Sequence, residues 1–188
     1  IDEAATHVTA TDCVTSGDIE SARGRQSKRI GLYDEALAHY SRAIECYGMF
    51  ETHYRNAARS HRNIADVHRE LYKRDRNPSH RDEGLQHLER AEAIYNLDAR
   101  HHRHGIGTVH NSRALLLYYG ARPGALEESK KAYDLGRIGP PNRDIVLMTN
   151  AMIVQALVLS AETEDEEGGD ITAARAAAEE AVALAETT

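Results

Sequence analysis

The chain has 188 residues, of which 41 % are hydrophobic and 28 % charged, with a formal net charge of −7. That composition is ordinary for a soluble fold, and the length suits one continuous core rather than two independent ones. Two cysteines, Cys13 and Cys46, are too few for a disulfide framework and lie outside any C-x-x-C spacing, so free thiols in a reducing cytosol are expected, with a single Cys13–Cys46 bridge as the alternative. No stretch of about 18 apolar residues and no basic, apolar leader is visible, so neither a membrane span nor a secretory signal is expected and the predicted location is cytoplasmic. The chain begins at Ile1, as a piece of a longer protein would. Nineteen arginines against four lysines, with abundant alanine, suggest a GC-rich, bacterial source.

Residues 1–17 are Thr-rich and weakly periodic, and they read as a leader or frayed end. A first helical hairpin is predicted over 18–48, with Ile19, Ala22, Gln26 and Ile30 on one stripe, a turn at Gly31 and a return helix over 33–47. A second hairpin is predicted over 51–97. Its outgoing helix, 51–72, places Tyr54, Ala57, Ala58, His61, Ile64, Ala65, His68 and Leu71 at spacings of three and four, the mark of one buried stripe. KRDRNPS breaks the pattern, and Ser79 with Asp82 reads as a capping box for the return helix over 80–97. A third hairpin follows over 99–137 and a fourth over 143–186, separated by the linker GPPN. DIVLMTNAMIVQALVLSAE is the most apolar helix; ETEDEEGGD is an acidic loop; and the final Ala- and Glu-rich helix, 171–186, reads as a solvent-facing cap.

The four return helices repeat one pattern. GLYDEALAHYSRAIECY (31–47), RDEGLQHLERAEAIY (81–95), PGALEESKKAYDL (123–135) and ITAARAAAEEAVAL (171–184) each carry a small residue followed seven positions later by alanine. The pairs are Ala36 and Ala43, Gly84 and Ala91, Ala125 and Ala132, and Ala174 and Ala181, recurring every 41 to 49 residues. Small residues two turns apart share a helical face and let a neighbouring backbone approach closely. A hairpin cannot bury its own apolar face, so repetition at this period predicts stacked hairpins.

Ala36, Tyr40 and Ala43, with Gly31, Tyr33 and Glu35 before them and Ile44 after, resemble the second helix of a tetratricopeptide repeat, whose pattern is A-x-x-x-[YF]-x-x-A. Leu88, Ser129 and Ala178 hold the aromatic position in the later returns, so the first repeat is nearest the family pattern. The repeats are longer than the usual ~34 residues and are similar to the extended variety of kinesin light chain and bacterial regulators. The resemblance covers about residues 18–186. It implies an all-α fold, a right-handed superhelical array of antiparallel helix hairpins forming one domain over 18–188.

In such arrays the first helix of each hairpin lines a concave groove, where asparagines bond the backbone of an extended peptide. Asn63, Asn111 and Asn150 stand at corresponding places in the outgoing helices, and an amide supplies both a donor and an acceptor to a peptide unit. Arg59, Arg62 and His110 are the candidates for setting charge preference, with Arg55, Arg69 and Arg113 nearby. From residue 51 to 143 there are 17 Lys and Arg against 12 Asp and Glu, whereas 144–188 holds one Arg against 10 acids. A basic middle favours an acidic partner segment and disfavours nucleic acid, which the C-terminal part would repel.

HHRHG contains His101, His102 and His104, and His101 with His104 stand at metal-ligand spacing, with His110 or His53 as a further ligand. No carboxylate or cysteine stands at a matching spacing, so no metal or other cofactor is expected. His61 and His68 on an apolar stripe read as core histidines. There is no G-x-S-x-G, no phosphate-binding glycine loop and no activated cysteine. The function predicted is a non-enzymatic protein–protein interaction module for an extended peptide or helix. The alternatives are a sensor or oligomerisation domain of a larger bacterial regulator, with a homodimer as its biological unit, and a metal-dependent enzyme using the histidine cluster.

Overall fold

The computed structural model describes residues 10–48, 53–138, 144–162 and 171–186, which form eight α-helices and no strand. These are α1 (Ala10–Arg29), α2 (Tyr33–Gly48), α3 (Tyr54–Asp75), α4 (Pro78–Tyr95), α5 (Arg103–Tyr119), α6 (Ala125–Arg137), α7 (Ile145–Glu162) and α8 (Ile171–Ala185). The linker expected at 139–142 and the acidic insertion at 163–170 lie outside the described residues.

The small-residue rows are where the hairpins close. Ala36, Ala43, Ala91 and Ala132 are fully buried, and Gly84, Ala125, Ala174 and Ala181 are buried with them. Each return helix then passes its row to the next outgoing helix. Tyr40 packs with Ile64, Val67 and Leu71 of α3; Leu88 with Ile106, Val109 and Leu116 of α5; Ala132 with Leu147 and Ala151 of α7. Ser129, in the aromatic position of α6, is buried and spends its hydroxyl on the carbonyl of Ala151 at 2.7 Å. In α8 the equivalent Ala178 is exposed, because no further described helix covers it. Ala174, Ala177 and Ala181 of α8 are buried, the last two against Met152 of α7, and the opposite side of α8 meets solvent.

Helices adjacent in sequence pack on one another, and α3 additionally meets α1 and α5 while α5 meets α7. The odd-numbered helices therefore form one continuous layer and the even-numbered helices flank it.

Two expectations are corrected. First, α1 begins at Ala10, so the second half of the leader expected over 1–17 is helical; residues 1–9 lie outside the described residues. Gly17 explains the extension: a methyl group there would sit 2.8 Å from the Tyr47 ring, which lies against the bare backbone. The Tyr47 hydroxyl donates to Asp18 at 2.6 Å. Tertiary packing of this kind overrides weak local periodicity. Second, the capping residue of α4 is Asn77 rather than Ser79. The Asn77 side-chain oxygen accepts from the Ser79 backbone N–H at 3.1 Å, and Pro78 occupies the first turn, where its missing N–H costs nothing. The preceding helix closes with Arg76 in the left-handed region at φ 58°.

Leu88→Ala removes the centre of the α3–α4–α5 core and is expected to cost about 2–5 kcal/mol of stability. Ala178→Ser, at the equivalent exposed position, is expected to stay within about 0.5 kcal/mol. Urea denaturation of the two variants beside the parent checks both values.

Candidate peptide-binding face

Along α3, Arg55, Arg59, Arg62, Asp66, Arg69 and Lys73 recur at spacings of four and three, so helical geometry alone places them in one stripe. The stripe divides at Asp66. Its carboxylate accepts from Arg69 at 3.1 Å and from Ser112 Oγ of α5 at 3.2 Å, and it lies 3.8 Å from Lys28 of α1. One acid thus ties three odd-numbered helices together and neutralises the C-terminal half of the stripe. Glu70 completes the neutralisation by accepting from Arg69 and Lys73.

The N-terminal half is different. Arg55, Arg59 and Arg62 line a cavity of about 520 Å³ closed by Tyr95 of α4, by His101 and His102, and by His104, Gly105 and Thr108 of α5. None of the lining residues is a carboxylate, and among the described residues no ion pair reaches Arg55, Arg59 or Arg62. Arg62 donates to Asn63 Oδ1 at 3.0 Å, while its Nε is buried with no partner. Tyr95 forms a buried wall: burial raises its hydroxyl pKa, against the three arginines, which lower it. His102 meets Tyr54 Oη at 2.9 Å, and α5 begins beside it without a side-chain cap, so the positive end of that helix faces the same region. His101 and His104 do not converge on a shared centre. His101 pairs with Asp98, and His104 pairs with Asp144 across the chain.

Of the residues predicted from sequence, Arg59 and Arg62 share this cavity, and Asn63 adjoins it through its bond to Arg62. Asn63 is 5 % exposed and its Nδ2 has no partner; Asn111 is half-buried with an unpartnered Oδ1; Asn150 is exposed on α7. The three asparagines therefore do not share one environment. His110 is placed elsewhere. Its ring nitrogens face Glu128 at 2.8 Å and Glu92 at 3.8 Å, in a network where Arg113 also bonds both acids and Lys131 bonds Glu128. Burial raises the Glu128 pKa, but bonds from His110, Lys131 and Arg113 overcome this and hold it at about 2. His110 is thus a clasp between α4, α5 and α6. Sequence reasoning passed over Tyr95 and Thr108 and weighed His102 only within the HHRHG metal cluster; the α4–α5 connection brings all three to the cavity. Tyr95 stands eleven residues after Gly84, as Tyr47 stands eleven after Ala36, and that register is the signal that marks it.

This architecture is similar to that of BtubC (BKLC) from P. vanneervenii, a helical repeat protein of kinesin-light-chain type, whose crystal structure superposes with a TM-score of 0.67 at 16 % identity. The likeness covers 91 % of this chain and 63 % of that one, so the chain spans less than two thirds of that protein's length. The chain has an all-helical repeat fold. At this identity the likeness establishes the fold alone. No protein-family model and no curated protein matches the sequence. Among the described residues no helix is long and apolar enough to cross a membrane, and Cys13 and Cys46 form no disulfide.

The face of α3 that meets α4 carries His61 and His68, which are packed between the helices as core histidines. His61 Nδ1 lies 2.9 Å from His87 Nδ1, and burial, reinforced by Arg90, holds both rings neutral with pKa values pushed down to about 4. Folded values below the ordinary 6.5 mean that between these limits the unfolded chain binds more protons, so stability falls as pH drops from about 6.5 toward 4. His61→Asn is expected to flatten that slope, as read from urea midpoints at pH 7, 5.5 and 4.5.

Proposed function

We propose that the chain is a protein–protein interaction module, a right-handed superhelical array of the tetratricopeptide kind whose odd-numbered helices hold an extended acidic peptide or helix of another protein. The observation that carries this reading is the cavity in which Arg55, Arg59 and Arg62 face no carboxylate. Three guanidinium groups on one helical face repel one another, and Arg55 and Arg59 are exposed to an incoming ligand. A carboxylate entering the cavity relieves that repulsion and can be held bidentately. Asn63, Asn111 and Asn150 are assigned to the ligand backbone; the unpartnered Asn63 Nδ2 and Asn111 Oδ1 are buried, so those two side chains must rotate outward on binding. His110 acts in this scheme by fixing Arg113 and Glu128 rather than by touching ligand. An acidic protein segment suits the site better than nucleic acid because the C-terminal part of the chain is itself strongly acidic. Binding rather than catalysis, in a cytoplasmic setting, completes the reading.

Fluorescence anisotropy with a labelled oligo-glutamate peptide and an oligo-lysine control tests it. The parent should bind the acidic peptide in a salt-dependent way. Arg59→Ala with Arg62→Ala should weaken binding roughly ten- to a hundredfold, the size of one lost charge-assisted contact. Asn63→Ala with Asn111→Ala should weaken it without altering helicity. Equal binding by parent and arginine variant would sink the proposal.

A second reading, self-association within a larger bacterial regulator, is favoured by the α7–α8 face. Ile153, Ala156 and Leu157 of α7 with Ala178 and Val182 of α8 line an apolar depression of about 520 Å³ that no described helix covers. Light scattering over a concentration series should give 20.9 kDa if the first reading is complete. A dimer dispersed by Leu157→Glu would support the second.

A further inference from the structure

The α3–α4 interface holds a column of imidazoles outside the peptide-binding face. His68 stacks toward His87 with ring centroids 6.1 Å apart, and His68 Nδ1 faces His80 Nδ1 at 3.3 Å. The second spacing is at the long end for a hydrogen bond between two ring nitrogens. It matches the edge of a coordination tetrahedron: Zn–N bonds of about 2.0–2.1 Å at tetrahedral angles put two nitrogens about 3.3–3.4 Å apart.

A third donor stands beside the pair. Glu83 follows His80 by three residues on α4, so the two project from one helical face; Glu83 Oε2 lies 3.5 Å from His68 Nε2, the ring nitrogen other than the one that faces His80, so a single ion takes one of the two His68 nitrogens and Glu83 or His80 closes in on it by side-chain rotation. One donor atom from each of His68, His80 and Glu83 lies within 4.8 Å of the other two. His68 is 5 % exposed, whereas Glu83 reaches solvent, so a cation has an anchored imidazole at the base of the site and an open side for entry.

A fourth group orients the ligands. Asp75 Oδ2 lies 3.3 Å from His80 Nε2, which favours a proton on that nitrogen and leaves the Nδ1 lone pair directed at His68. Asp75 is itself held by the turn between the helices, where its other oxygen accepts from the Asn77 backbone N–H at 2.9 Å. A carboxylate behind a ligating imidazole is the recurrent outer partner of metal-bound histidine. HHRHG, the cluster that stands out in the sequence, lacks this arrangement, because His101, His102 and His104 each turn to a different partner.

We propose that His68, His80 and Glu83 form a divalent transition-metal site, with zinc the cation the two-nitrogen, one-oxygen donor set suits best. Asp75 is its positioning residue. The ion staples α3 to α4 and leaves a coordination position for water, so it stiffens the helix whose opposite face carries the arginine stripe. The site stands independently of the peptide-binding reading.

The test uses the full chain, tag-free and dialysed against chelator, then titrated with zinc chloride in a calorimeter, with metal content measured after gel filtration. One zinc per chain and a raised thermal midpoint are expected. His80→Gln and Glu83→Gln, both at positions that are not fully buried, should each retain the helical spectrum and weaken zinc binding tenfold or more. Asp75→Asn should weaken it by about ten- to a hundredfold. His101→Gln with His104→Gln should leave it unchanged. The cobalt-substituted protein should show a tetrahedral visible band that disappears in His80→Gln. Failure to retain zinc, or retention lost through His101 and His104 but not through His80 and Glu83, would overturn the assignment.

Discussion

Everything in this structure depends on how closely the backbones of consecutive helices approach at the small-residue rows. Ala36 and Ala43, Gly84 and Ala91, and Ala125 and Ala132 each place two nearly bare turns on one face of a return helix, and all six are buried. A larger side chain at any of them would push the helices apart and expose the neighbouring Tyr40, Leu88 or Ser129, whose burial hands each hairpin on to the next. The rows explain why a chain with no Trp and one Phe can sustain a core: close approach replaces bulk. They also explain the open end at α8, whose row is buried against α7 while Ala178 beyond it faces solvent.

Stacking in this register leaves the odd-numbered helices side by side, and their polar groups are neutralised unevenly. Glu20 of α1 accepts from Arg23, His39 and Arg42, and those bonds, led by His39, hold its pKa at about 2. Glu128 fastens α5 to α6, and Asp66 fastens α1, α3 and α5. Arg55, Arg59 and Arg62 differ from these pairs in lining one cavity together with no carboxylate beside them. Three cations gathered around one cavity with no carboxylate among its lining residues raise the local positive potential. That contrast is the physical basis for reading the cavity as a receptor for acid groups.

The repeat, the helix order and the turns were legible in the sequence because each rests on local chemistry: the seven-residue spacing of small residues, Gly31 at φ 80° between α1 and α2, and the break at Asn77-Pro78. The start of α1 was not, since residues 10–17 carry little periodicity and gain their helix from the Tyr47 ring lying on Gly17. The arginine stripe was legible through its spacing, but which half of it stays free depends on Asp66 meeting Ser112 and Lys28 from other helices. His110 shows the same limit. Its place beside Asn111 and Arg113 marks a polar helix face, while its partners Glu92 and Glu128 lie 18 residues away on either side and become neighbours only when the hairpins stack. The converging histidines were hidden for the same reason: His101 and His104 are close in sequence and diverge in space, whereas His68 and His80 are twelve residues apart and face each other across a turn.

The central claim is that the three unpaired arginines of α3 receive acidic groups. The most direct measurement is the side-chain Nε–Hε resonances of all arginines by NMR during titration with an acidic peptide. The account predicts that Arg55, Arg59 and Arg62 shift together and saturate at one peptide per chain, while Arg113, already held by Glu92 and Glu128, does not move. Shifts spread evenly over exposed arginines such as Arg23, Arg137 and Arg175, or confined to residues of α7 and α8, would contradict it.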